Sequence, residues 1–107
     1  MPEPGQGTWT LQIHQEAFDE LLALGRDRAA RVRNKLHALA EDPFRARPGV
    51  DVRKLRDLAD GGLYRLRVGA HRVVYAVIAD DRTILVLVVA EREAGYGRLM
   101  ETAEARL

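Results

Sequence analysis

Three arginines, Arg65, Arg67 and Arg72, stand within LYRLRVGAHRVVYAVI, the stretch from Leu63 to Ile78. Arg65 and Arg67 alternate with the apolar Tyr64, Leu66 and Val68. Gly69-Ala70 supplies a turn, and Arg72 opens a β-branched return run, so the pattern predicts a β-hairpin. With a two-residue turn, Val68 faces His71, Arg67 faces Arg72 and Arg65 faces Val74. Directly opposed residues share a face of an antiparallel pair, so all three guanidiniums project from one side. Like charges held opposite each other cost up to about 1 kcal/mol per pair. A bound polyanion removes that cost, and the forked donors of arginine suit phosphate oxygens. These arginines are the candidate binding site.

The elements that must position them are read from the periodicity on either side. Residues 1–7 contain Pro2, Pro4, Gly5 and Gly7 and read as a flexible tail; residues 8–107 form one domain. Thr8 to Ile13 alternates Trp9, Leu11 and Ile13 with polar residues, which predicts a half-buried strand. Trp9 reads as a core or edge anchor, with base stacking as its other use. Gln15 to Leu24 has apolar residues at helical spacing and ends at Gly25. Asp27 then caps a second helix whose Val32, Leu36, Leu39 and Ala40 form one stripe. The cations along this helical hairpin, Arg26 to Lys35, read as a solvated face. DVRKLRDL at Asp51 to Leu58 is short and extended, and Asp60-Gly61-Gly62 turns into the arginine hairpin. TILVLVVA at Thr83 to Ala90 is the near-continuous apolar run of a strand buried on both faces. Ala94 to Leu107 is a short helix with Leu99, Ala103 and Leu107 inward. The order β-α-α-β-β-β-α describes an α+β domain, a mostly antiparallel sheet with a helical hairpin on one face. The arginines then fall on the other, open face. With a three-residue loop at Asp80 to Arg82, Arg72 faces Ala90 and Arg92 falls on the same face; with a two- or four-residue loop Arg92 points to the helix side.

Composition narrows the chemistry. The chain has 107 residues, enough for a single modest core. It contains no cysteine and no serine, which excludes disulfides, thiolate metal sites and cysteine or serine nucleophiles. His14, His37 and His71 stand singly, without metal-ligand spacing, so neither a metal nor another cofactor is expected. No apolar run has the length of a membrane span or the form of a signal peptide, so no membrane contact and a cytoplasmic location are expected. The net charge is only +1, yet Pro43 to Arg72 holds eight basic residues against three acids. A localised basic face on a near-neutral chain fits a polyanion bound at one place.

YRLRVGAHRVVYAV, the preceding KLR at Lys54 to Arg56, and ERE followed shortly by Tyr96 together resemble the RelE/ParE toxin superfamily of type II toxin–antitoxin systems. The resemblance runs from about Trp9 to Leu99 and is closer to the RelE branch of ribosome-dependent mRNA endonucleases. It implies a RelE-like fold and a metal-independent mRNA interferase that inhibits translation. The RNA is cut by attack of its own 2′-OH, leaving a 2′,3′-cyclic phosphate and a 5′-OH. Its partners would be mRNA on the ribosome and a cognate antitoxin laid over the helical hairpin and sheet, with Leu22, Leu99 and Met100 as candidate contacts. By the same resemblance, Arg65, Arg67 and Arg72 clamp phosphates, and Arg92 stabilises charge at the leaving oxygen. Tyr96 is a general base if the surrounding arginines lower its pKa enough. Lys54 and Arg56 contact backbone phosphate or the antitoxin. His71 stacks on a base or flanks the turn.

Two other readings stay open at this level. A ParE-like toxin that binds DNA gyrase would need no Tyr96. A catalytically degenerate member would only bind its antitoxin. A metal nuclease built on Glu91 and Glu93 is a poor fit, because no third acidic ligand stands nearby.

Overall fold

The computed structural model describes residues 9–91 and 95–107. The expected tail at 1–7 lies outside the described residues, as does Arg92. β1 (Thr10–Ile13) leads into α1 (Gln15–Ala23) and α2 (Arg26–Leu39). Four strands follow: β2 (Asp51–Leu58), β3 (Gly61–Val68), β4 (His71–Ile78) and β5 (Thr83–Glu91). α3 (Tyr96–Ala105) closes the chain. The sheet order is β1-β5-β4-β3-β2, antiparallel except where β1 runs parallel to β5. The α+β architecture with its helical hairpin is the expected one, with one strand more: Asp51–Leu58 is a full eight-residue edge strand paired with β3.

Local chemistry sets the helix ends differently from the sequence reading. His14 caps α1, its Nδ1 accepting the Glu16 N–H at 3.1 Å. Gly25, at φ +91°, is the N-cap of α2 rather than only the end of α1. Asp27 therefore lies inside the first turn, where its charge faces the positive end of the helix.

Alternation along the strands divides two apolar layers. Val52, Tyr64, Leu66, Val73, Tyr75, Val77, Ile84 and Val86 pack against Ala17 and Leu21 of α1 and Val32, Leu36 and Leu39 of α2. On the other face Leu63, Val74, Ala76, Leu87 and Val88 pack against Leu99 and Ala103 of α3. β5 is accordingly buried on both sides. The expectation of an open second face is corrected here: α3 covers its apolar half. Leu107 is exposed rather than inward, and Leu99 is buried rather than available to a partner.

The hairpin pairs as expected, with Val68 opposite His71, Arg67 opposite Arg72 and Arg65 opposite Val74. Arg72 also faces Ala90, by a different route from the one inferred. Ile78 pairs with Thr83, so the loop holds four residues, and a bulge at Leu87 adds one residue back. The two shifts cancel. The bulge also puts consecutive Leu87 and Val88 in the same apolar layer.

Candidate nucleic-acid interface

Register builds the site as rows across the sheet. Asp51, Arg67, Arg72 and Ala90 stand opposite one another on β2, β3, β4 and β5. The adjacent row on the same face is Arg53, Arg65, Val74 and Val88. The first row lies toward the β3–β4 turn, beyond the apolar half that α3 covers, whereas Val74 and Val88 of the second pack in the layer under α3. Tyr96, the first residue of α3, closes the boundary. The Arg72 guanidinium carbon sits 4.2 Å from its ring centroid, over the electron-rich face. No pocket occurs among the described residues, so Arg67 and Arg72 stand on a sheet surface rather than in a cleft.

The arginines differ in their surroundings. Arg67 is exposed and makes no ion pair among the described residues. Arg72 is half-buried against Tyr96. Arg65 corrects the expectation of three open guanidiniums: it is 7% exposed. Its Nη1 donates to Asp51 Oδ1 at 2.9 Å and to the Asp51 carbonyl at 3.1 Å. Its Nε is buried without a partner. An arginine so held aligns its neighbours and is not free to clamp a phosphate.

The three flanking residues also separate. Arg56 shares the arginine face but is paired with Glu104 of α3. Lys54 stands opposite Tyr64, so it lies on the helical-hairpin face and not with the arginines. It is paired with Asp57; that contact raises the Lys54 pKa and lowers that of Asp57. His71 alternates with Arg72 and shares its face with Val73 and Tyr75. It is buried, its Nε2 without a hydrogen-bond partner, so it flanks the turn and is out of reach of a base on the arginine face. Sequence reasoning missed Arg53, exposed beside Arg65, and Asp51. The signal was present: once DVRKLRDL is a strand, Asp51 and Arg53 share one face by simple alternation.

A small, mostly antiparallel sheet, with α1 and α2 on one face and a basic end of the other left uncovered by α3, defines a class of α+β protein. The comparisons make the class specific. The family described as the ParE toxin of the type II toxin–antitoxin system, parDE, matches residues 11–96. RelE1 of Methanocaldococcus jannaschii, a protein carrying a toxin name, is 26% identical over 88 residues, covering 82% of this chain and 94% of that one. The archaeal RelE–RelB complex from Pyrococcus horikoshii OT3 aligns with a TM-score of 0.72 and 31% identity, over 82% of this chain and 99% of that chain. Escherichia coli RelE with two arginines replaced by alanine, in the free state, aligns with a TM-score of 0.69 and 27% identity, over 94% and 98%. The chain belongs to the ParE toxin family of type II toxin–antitoxin systems, within the RelE/ParE superfamily.

Proposed function

We propose that this toxin is an endoribonuclease that cuts mRNA on the ribosome, without a metal, by attack of a ribose 2′-OH on the adjacent phosphorus. The observation that carries the reading is the pairing of Arg67 with Arg72 at the exposed end of the sheet, with the Tyr96 ring against Arg72. Two guanidiniums on adjacent strands, about 5 Å apart at Cα, can share the oxygens of one phosphate and stabilise the extra charge of its transition state. Arg53 extends the basic track toward a flanking phosphate. Tyr96 handles one of the two protons that the reaction moves. Arg92 stabilises the leaving oxygen, a role assigned from the superfamily resemblance. Arg65 positions Asp51 and the β2–β3 pair rather than touching RNA. Arg56 contacts RNA only when it leaves Glu104, and Lys54 faces the other way, toward a protein partner. The ribosome supplies the alignment of the strand that a shallow surface lacks. The physiological partner that silences the protein is a cognate antitoxin; the P. horikoshii relative was solved bound to RelB.

The ParE name of the matching family favours one other reading, a toxin that binds DNA gyrase. Mapping 5′-hydroxyl RNA ends after induction separates the two. Endoribonuclease action gives cuts inside translated messages, and Arg67→Ala with Arg72→Ala removes them. A toxin that leaves messages intact, blocks supercoiling by gyrase and tolerates Tyr96→Phe is of the other kind.

A further inference from the structure

Cleavage by the 2′-OH needs a group to take its proton, and the arginines cannot serve, because a guanidinium stays protonated. The row that carries Arg67 and Arg72 begins with a carboxylate, Asp51. Asp57 and Glu91 belong to the opposite face, by their pairing with Gly62 and His71. Glu104 is engaged by Arg56. Asp51 is therefore the sheet carboxylate, among the described residues, that shares the phosphate-binding row.

Its surroundings are those of a held but accessible group. Arg65 fixes Oδ1 at 2.9 Å and the backbone at 3.1 Å. The Asp51 side chain is still 55% exposed, and Oδ2 has no hydrogen-bond partner among the described residues. One oxygen orients the carboxylate and the other is left for substrate. Along the row, Arg67 lies between Asp51 and Arg72, and the Arg72 guanidinium rests 4.2 Å from the Tyr96 ring centroid. Two strand spacings, about 10 Å, separate the Asp51 and Arg72 backbones. A phosphate held by Arg67, the middle residue of the three, borders Asp51 on the adjacent strand.

Resting on the nuclease reading above, we infer that Asp51 is the general base and that Tyr96 is the general acid. Asp51 Oδ2 takes the proton of the 2′-OH as the 2′-oxygen bonds to phosphorus. The bond from phosphorus to the 5′-oxygen breaks, and the Tyr96 hydroxyl protonates that oxygen. The products are a 2′,3′-cyclic phosphate and a 5′-hydroxyl. Asp51, now protonated, and the Tyr96 phenolate return to their starting states by exchange with water. Arg65 is a positioning residue that acts through Asp51.

The test is mRNA cleavage on programmed ribosomes. Asp51→Asn keeps the shape and the Arg65 hydrogen bond but removes the base, so kcat falls about 100-fold while KM is unchanged. Asp51→Ala falls likewise and is partly restored by added formate, which a purely structural ion pair would not produce. Wild-type cleavage rates in Asp51→Asn, or loss in Asp51→Ala that formate leaves untouched, overturn the assignment while the nuclease reading stands. Wild-type protein that generates no 5′-hydroxyl ends overturns both.

Discussion

Tyr75 carries a hydroxyl into the layer packed under the helical hairpin. Its ring is fully buried and stacks on Tyr64, with centroids 5.6 Å apart. Its hydroxyl donates to the Pro43 carbonyl at 2.6 Å. Burial pushes the phenol pKa far above its ordinary value, with the neighbouring Tyr64 adding to the rise. The native state thus favours the protonated phenol, whereas the unfolded chain ionises near pH ~10. The resulting stability is complete below that pH and is lost as pH climbs above it toward the native pKa. In a spectrophotometric titration, phenolate absorbance from Tyr75 is expected to emerge only with unfolding. Tyr75→Phe removes this alkaline loss and leaves the Pro43 carbonyl unpaired, at a cost of about 1–2 kcal/mol measured by urea unfolding at neutral pH. Nothing local in the sequence marks Tyr75 out from Tyr64 or Tyr96. Its burial follows from which layer β4 turns it into.

At the scale of elements, the outer edge of β5 needs partners that β1 does not provide. β1 pairs only with Thr83 to Val86. Beyond that, Glu20 of α1 accepts the Val89 N–H at 3.0 Å, and Arg106 donates to the Leu87 carbonyl at 2.8 Å. Arg106 also grips both oxygens of Glu20, at 3.0 and 2.9 Å. One cation thus ties the end of α3 to α1 across the β5 bulge, and Glu20 raises the pKa of Arg106 in return. Arg106→Ala is expected to destabilise the protein by about 2 kcal/mol. It should also speed hydrogen exchange at Val89 and at the last turn of α3 while leaving the β3–β4 pair protected. Equal acceleration throughout the sheet would mean that α3 does not dock through this contact. Gly61 makes a second non-local demand. At φ +131°, a Cβ there would lie 1.9 Å from the Val77 carbonyl oxygen, so glycine is required where β3 begins against β4. The sequence marked a turn at that glycine, but not the close approach of Val77, sixteen residues on.

For the whole molecule, the net charge of +1 conceals a sharp division, with the uncovered end of one sheet face holding Arg53, Arg67 and Arg72. RNA binding should weaken with salt at a log–log slope of about −0.7 per phosphate neutralised, and Arg67→Ala should make that slope shallower by about 0.7. A slope indifferent to Arg67 would place the RNA elsewhere. The sequence by itself determined the helical hairpin, the arginine β-hairpin with its register, and the side on which Arg65, Arg67 and Arg72 stand. Those features follow from local periods of 3.6 and 2 residues and from a turn of fixed length, which neighbouring residues settle among themselves. Only the tertiary structure decided that Arg65 is sealed against Asp51, that His71 is buried with its Nε2 unpartnered, and that α3 covers half of the arginine face. The offset of a four-residue loop by a bulge was decided there too. These outcomes depend on which distant segments share a layer, and the alternation within a single strand carries no record of what will pack against it.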